Sequence, residues 1–177
     1  MSKLESEPRV NCKKVYVAKT KSTGWGIFAK KDIKKGECIF TAKGRIKKCI
    51  IKDEDSSKQW KCTACIGLNR ISWIDPYKNN PLRFMNHSCN PNAGIKGRVR
   101  FYAMHNIKKG EEVTFDYSIT EEDVFWKMKC ACGHRECRKE VCSIQFLPEN
   151  VFVKYLPFIP THFKRLYLKK RNGFGKL

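Results

Sequence analysis

Two stretches concentrate the side chains that can do chemistry. Residues 83–92 read RFMNHSCNPN, and residues 130–137 read CACGHREC. In the first, Asn86 offers an amide, His87 an imidazole and Cys89 a thiol. Asn90, Pro91 and Asn92 form a turn-prone tail. His87 and Cys89 stand two apart and would share a side of an extended chain, as a Cys–His nucleophile pair does. Nothing nearby supplies an oxyanion hole, which argues against a hydrolase. In the second stretch, Cys130, Cys132 and Cys137 place three thiols in one tight loop, and Gly133 helps the chain turn around an ion. Zinc takes four ligands in a tetrahedron. The fourth is His134, Cys142 or a distant cysteine.

Weaker candidates lie elsewhere. Cys62 and Cys65 form a lone CxxC, with Cys49 within reach, but the run around them is strand-like and suits cysteine as a small apolar residue. Gly24 and Gly26 flank Trp25 and make the backbone permissive. They lack the spacing of a phosphate-binding loop. GEEVTFDY (110–117) ends on Asp116 and Tyr117. That tyrosine could be a base, an acid or an aligning phenol, or an ordinary core residue.

The elements that must hold these residues read as short strands. Residues 13–19 alternate, with Val15 and Val17 on one face and Tyr16 on the other. Residues 62–75 and 98–104 have the same character. The turn IKKGE occurs twice, at 33–37 and 107–111, each time leading into a strand. Residues 47–61 are a surface loop or short helix. TEEDVFWKMK (120–129) is expected to start a helix, with Thr120 and Asp123 as a loose capping box. From residue 143 the chain carries FLP, YLP and FIP, then six Lys or Arg with no acid from Thr161 onward. Its apolar residues predict a tail that docks.

The chain has 177 residues, 10 cysteines and a net charge of +20. That length can bury a core without disulfides. No apolar run is long enough to cross a membrane, and the N-terminus lacks a secretory h-region. The expected location is intracellular, with nucleus or chromatin favoured over cytoplasm. There the cysteines are thiols or metal ligands. The charge points to a polyanionic partner such as DNA.

Taken in order, GWGIFAKKDIKKGE, WIDPYKNNPLRFMNHSCNPN, FYAMHNIKKGEEVTFDY and CACGHREC resemble a SET-domain protein lysine methyltransferase with a post-SET zinc motif. The resemblance spans about residues 13–140. It implies a mainly β fold of short strands (β-clip-like), in which the NHSC and FDY segments cross in a pseudoknot. It divides the chain into a flexible N-terminus (1–12), a SET domain (13–119), a post-SET segment (120–140) and a basic extension (141–177). It also implies a minimal protein, with no pre-SET or reader region.

By the same resemblance, Asn86 and His87 lie against S-adenosylmethionine, so His87 is no general base. Thr23, Gly24 and Trp25 contact the cofactor's methionine part, and Phe125 or Trp126 packs on its adenine. Cys89 joins Cys130, Cys132 and Cys137 around a structural Zn²⁺. Tyr117 is the phenol between lysine channel and methyl group. Phe115 sits at the family's Phe/Tyr switch, which implies di- or trimethylation. Family members often carry a channel tyrosine shortly before the WIDP stretch; here there is none, and Trp60 is the stand-in. The implied substrate is a histone or another basic chromatin protein. A cluster of Glu111, Glu112, Asp116, Glu121, Glu122 and Asp123 would receive its basic tail, while Lys164 to Lys176 would grip DNA. The competing readings are a non-catalytic SET-derived module that binds nucleic acid, and a zinc-bound DNA-binding domain unrelated to SET. The latter leaves GEEVTFDY and GWG unexplained.

Overall fold

The computed structural model describes residues 8–21, 23–59 and 64–173. Trp60, Cys62 and Lys176 fall outside the described residues, as does the start of the N-terminal segment. The chain folds into small antiparallel sheets packed on one core. β1 (Val15–Lys19) pairs with β2 (Trp25–Ala29). The expected alternation holds there: Val15, Ile27 and Ala29 are fully buried, while the Tyr16 and Phe28 rings meet at a tilt on the outer face. β3 (Cys38–Thr41), β7 (Ala93–Lys96) and β8 (Arg100–Ala103) form a second sheet in the order β3-β8-β7. β4 (Gly44–Lys48), β5 (Ile66–Asn69) and β6 (Ser72–Pro76) form a third, in the order β4-β6-β5. β9 (Lys127–Lys129) and β10 (Glu140–Cys142) make a short ribbon. α1 (Glu54–Gln59) is the short helix of the charged stretch.

The repeated turns face each other. Ile33 and Ile107 form an antiparallel bridge, exchanging N–H···O bonds of 2.8 and 2.9 Å, and both are buried. Asp32 accepts from the Lys109 amide, and Asn106 accepts from the Lys35 amide. Within each turn the glutamate (Glu37 or Glu111) accepts from the amide three residues back. Gly36 and Gly110 have φ of +79° and +81°, a left-handed conformation that suits glycine. Two copies of one pentapeptide thus satisfy each other's backbone.

Two expectations are corrected. Residues 120–129 do not form a helix. A 3₁₀ turn, Tyr117–Thr120, ends at Glu121, and an irregular link leads to β9. Thr120 is no cap: its hydroxyl donates back to the Tyr117 carbonyl. Asp123 instead accepts from the Phe125 amide, a local turn that competes with helix. The tail does dock, but as helices the sequence reading did not foresee: α2 (Glu149–Tyr155) and α3 (Thr161–Gly173). Phe152, Tyr155, Phe163 and Tyr167 are buried, and the Phe152 and Tyr167 rings stack at 3.8 Å. Gly67 of β5 admits this packing, because a Cβ there would lie 2.8 Å from the Phe163 ring.

Candidate active site and metal centre

The NHSC and FDY segments lie side by side in parallel. His87 bridges Phe115, with the Phe115 amide donating to Asn86 O and the Ser88 amide to Phe115 O, each at 3.1 Å. This pairing aims Asn86 to one end, Tyr117 to the middle and Cys89 to the other.

At the first end, the Asn86 amide nitrogen donates to Glu112 Oε1 at 2.7 Å, Thr23 Oγ1 at 2.9 Å and the Trp25 carbonyl at 3.1 Å. Thr23, Gly24 and Trp25 are therefore gathered at Asn86. Gly26 permits the approach, since a Cβ there would come within 2.5 Å of the Glu112 carboxylate. Gly24 has φ of +81°, with open space where a side chain would stand. The acceptors (a carboxylate, a carbonyl and a hydroxyl) suit a cationic ligand end such as an ammonium or sulfonium.

In the middle, the Tyr117 hydroxyl donates to Met85 O at 2.9 Å, and its amide donates to His87 Nδ1 at 3.2 Å. Burial, with the Glu112 charge adding to it, pushes the Tyr117 phenol up to about 12. It therefore stays neutral and serves as a hydrogen-bonding group, not as a base. Burial likewise pulls His87 down to about 4, against the pull of Asp116. Because Nδ1 accepts, the ring proton belongs on Nε2, which faces Cys89 Sγ at 3.4 Å.

Tyr117 and Phe115 line a cavity of roughly 360 Å³. Ile66, Trp73, Leu82, Met85 and Trp126 supply apolar wall, and Glu121 and Asp123 are its carboxyl groups. Trp126 faces this cavity, whereas Phe125 is exposed. The expected acidic cluster is divided. Glu111 holds Asn92 and the Lys108 amide, Glu112 holds Asn86, and Asp116 is buried against Arg138 at 2.6 Å. Glu122 pairs with His162. Only Glu121 and Asp123 of the six face the cavity.

At the other end, the sulfurs of Cys89, Cys130, Cys132 and Cys137 all lie within 4.8 Å of one another. Cys89 and Cys130 are 3.8 Å apart. A tetrahedral ion with ~2.3 Å Zn–S bonds requires sulfur–sulfur edges of about 3.8 Å, so the set fits zinc. The amides of Arg138 and Lys139 point at the sulfurs of Cys89 and Cys137, contacts that favour thiolate. His134 is engaged by Asn90 and the Glu136 amide, and the Cys142 thiol points to Glu140. Neither belongs to the four-sulfur group.

Sequence reasoning missed the residues that weld these parts together. The Tyr155 hydroxyl of α2 lies within hydrogen-bond distance of both Asp116 Oδ2 and Cys89 O, either of which can take its one proton, and Asp116 also holds Arg138 and the Ser118 amide. Arg138 directly follows the last zinc-type cysteine, which was the one available clue; Tyr155 had none.

Comparison with known proteins agrees with this geometry. The family model of the SET domain matches residues 24–118. The histone-lysine N-methyltransferase, H3 lysine-36 specific, of Saccharomyces cerevisiae is 29% identical over 177 residues, 90% of this chain and 24% of its own. The histone-lysine N-methyltransferase trr of Drosophila melanogaster is 32% identical, over 77% of this chain and 6% of its own. The variant-silencing SET domain-containing protein of Plasmodium falciparum is 33% identical, over 71% and 6%. The chain thus spans under a quarter of the length of these relatives. Among solved structures, KRYPTONITE in complex with mCHG DNA and SAH superposes with a TM-score of 0.58 at 23% identity, covering 75% of this chain and 29% of that one. The Chaetomium thermophilum Polycomb Repressive Complex 2 bound to GSK126 gives 0.51 at 26%, covering 63% and 16%. With its paired NHSC and FDY segments, its four-sulfur cluster and more than half its length matched, the chain belongs to the SET-domain family.

Proposed function

We propose that the protein transfers a methyl group from S-adenosylmethionine to a lysine side chain of a histone or similar basic chromatin protein. The observation that carries this is Tyr117: a neutral phenol in the wall of a largely apolar cavity, on the segment that pairs with the one carrying Asn86 and its acceptors. The cavity takes the lysine stem, and Thr23, Gly24, Trp25, Asn86 and His87 bind the donor. S-adenosylmethionine supplies the methyl group on a sulfonium. The protein's part is alignment of an in-line displacement and exclusion of water, which places the burden on orientation. Tyr117 orients the amine. Cys89, Cys130, Cys132 and Cys137 hold a zinc ion whose role is structural. The relatives' names favour histone H3 as substrate and the nucleus as location, and Phe115 favours a di- or trimethyl product.

The test is a methyl-transfer assay on nucleosomes and core histones with labelled S-adenosylmethionine, comparing zinc-loaded wild type with Tyr117→Phe. Wild type labels histone; Tyr117→Phe loses about 10²-fold or more, because alignment at the reacting atom is lost. Cofactor binding without label in any histone would direct the search to another protein substrate. Absence of both would favour the non-catalytic nucleic-acid module.

A further inference from the structure

A lysine enters its site as an ammonium, which has no electron pair to attack with. Something must take its proton. Tyr117 is too weakly acidic to spend time as phenolate, and His87 is buried with its Nδ1 occupied by the Tyr117 amide. Asp116 is sealed beneath Arg138 and Tyr155. Glu112 is tied to Asn86 and Glu122 to His162. Among the described residues that line the cavity, the carboxyl groups are Glu121 and Asp123. Asp123 is spent on its own turn, accepting from the Phe125 amide.

Glu121 differs. It follows directly on the 3₁₀ turn that begins at Tyr117, so one turn of chain separates phenol from carboxyl. Its carboxylate is met by backbone amides alone, Asp123 N–H donating to Oε1 and the Glu122 amide close by, and no cationic side chain pairs with it among the described residues. The other charged groups lining the cavity are Arg83, which is held by Asp75 and the Pro76 carbonyl, and Lys127.

We propose that Glu121 accepts the proton of the substrate lysine. This inference rests on the methyltransferase reading and adds a step to it. The Nζ–H bond breaks, its electron pair stays on nitrogen, and an O–H bond forms on the Glu121 carboxylate. The neutral amine then attacks the methyl carbon, and the proton leaves to solvent through the open mouth of the cavity. Burial first, and the neighbouring Asp123 and Glu122 next, raise the Glu121 carboxyl from 4.5 to about 8. That places it near working pH, where a general base is most effective. An arriving ammonium favours the charged form and so readies the acceptor.

The test compares wild type with the isosteric Glu121→Gln on histone peptide, in kcat/KM from pH 7 to 10. Two controls accompany it: cofactor binding by calorimetry, and melting temperature against pH. We expect Glu121→Gln to bind cofactor normally and to lose about 10²-fold at pH 8, a typical general-base contribution. The deficit should shrink toward pH 10, as lysine begins to deprotonate unaided. Melting supplies a readout independent of activity. The folded state keeps a proton that the unfolded chain releases between pH 4.5 and about 8, so wild type loses stability as pH rises through that window. Glu121→Gln should show a flatter curve. Equal activity and parallel pH profiles in the two proteins would overturn the proton-acceptor role and leave the methyltransferase reading standing. Absence of both transfer and cofactor binding by wild type would overturn both.

Discussion

Phe115 presents a ring with no hydrogen-bonding atom to the cavity, packed edge-on to Phe101 at 5.3 Å and tilted on Tyr117 at 4.9 Å. Adding a hydroxyl there would fill space that added methyl groups need and would hold a water beside the amine. Phe115→Tyr should therefore shift products toward monomethyl-lysine, read by mass spectrometry of the modified peptide. If the wild type itself stops at one methyl, the space argument fails. At this scale the motifs were legible, because Asn86, His87, Cys89 and Tyr117 sit at spacings that few other folds share. Glu121 was not. In the sequence it is one acid among six, and what sets it apart is that Glu111, Glu112, Asp116 and Glu122 are consumed by partners 19 to 40 residues away.

Prolines and acids at the element scale show why local reading fails in the C-terminal third. The FLP and FIP motifs gave no sign of helix, yet Pro148 and Pro160 each immediately precede one, α2 and α3. Proline's missing amide costs nothing at a helix start, so it belongs there as naturally as at an end. The stretch 120–129 carries the acids of a helix start, but Lys127 to Lys129 pair with Glu140 to Cys142, and this ribbon overrides the local preference. Val124 and Phe125 are left 51% and 43% exposed, so no buried helical face ever formed. The same ribbon carries the cysteine loop. Because Cys89 lies on the NHSC segment and the other three sulfurs lie between β9 and β10, a zinc ion held by the four would tie the paired NHSC and FDY segments to the ribbon. Chelation, or Cys89→Ser, should lower the melting temperature and release about one zinc per chain, measured by metal analysis. Cys142→Ser should retain its metal. Full zinc in Cys89→Ser would remove Cys89 from the site.

Across the whole molecule the charge of +20 is spread unevenly in its availability. On α3, Lys170 lies over the Phe146 ring and Arg171 pairs with Glu149, while Lys164, Arg165 and Lys169 are exposed with no ion pair among the described residues. These three are the residues of the tail best placed to meet phosphate. If they do, duplex DNA affinity should fall with salt with a log–log slope of about 2.7, from roughly 0.9 per phosphate contact. Reversing all three to glutamate should flatten it. A slope near zero in wild type would leave the charge to solubility alone. Nothing in the helix sequence distinguishes these three from their neighbours; their freedom is a product of where Phe146 and Glu149 come to rest.

The facing pair of IKKGE turns bears on how the chain reaches its shape. Ile33 meets Ile107 across 74 residues, and everything from β3 to β8 lies within that loop. Closing a loop so long costs entropy before either turn gains its partner's hydrogen bonds. Neither turn can satisfy its own Lys35 or Lys109 amide, so each is incomplete until the distant half of the sheet arrives. The parallel contact of His87 with Phe115 is non-local too. A chain whose key contacts are this remote in sequence belongs among the slower folders of its size, and its unassembled halves spend that time with polar edges facing water.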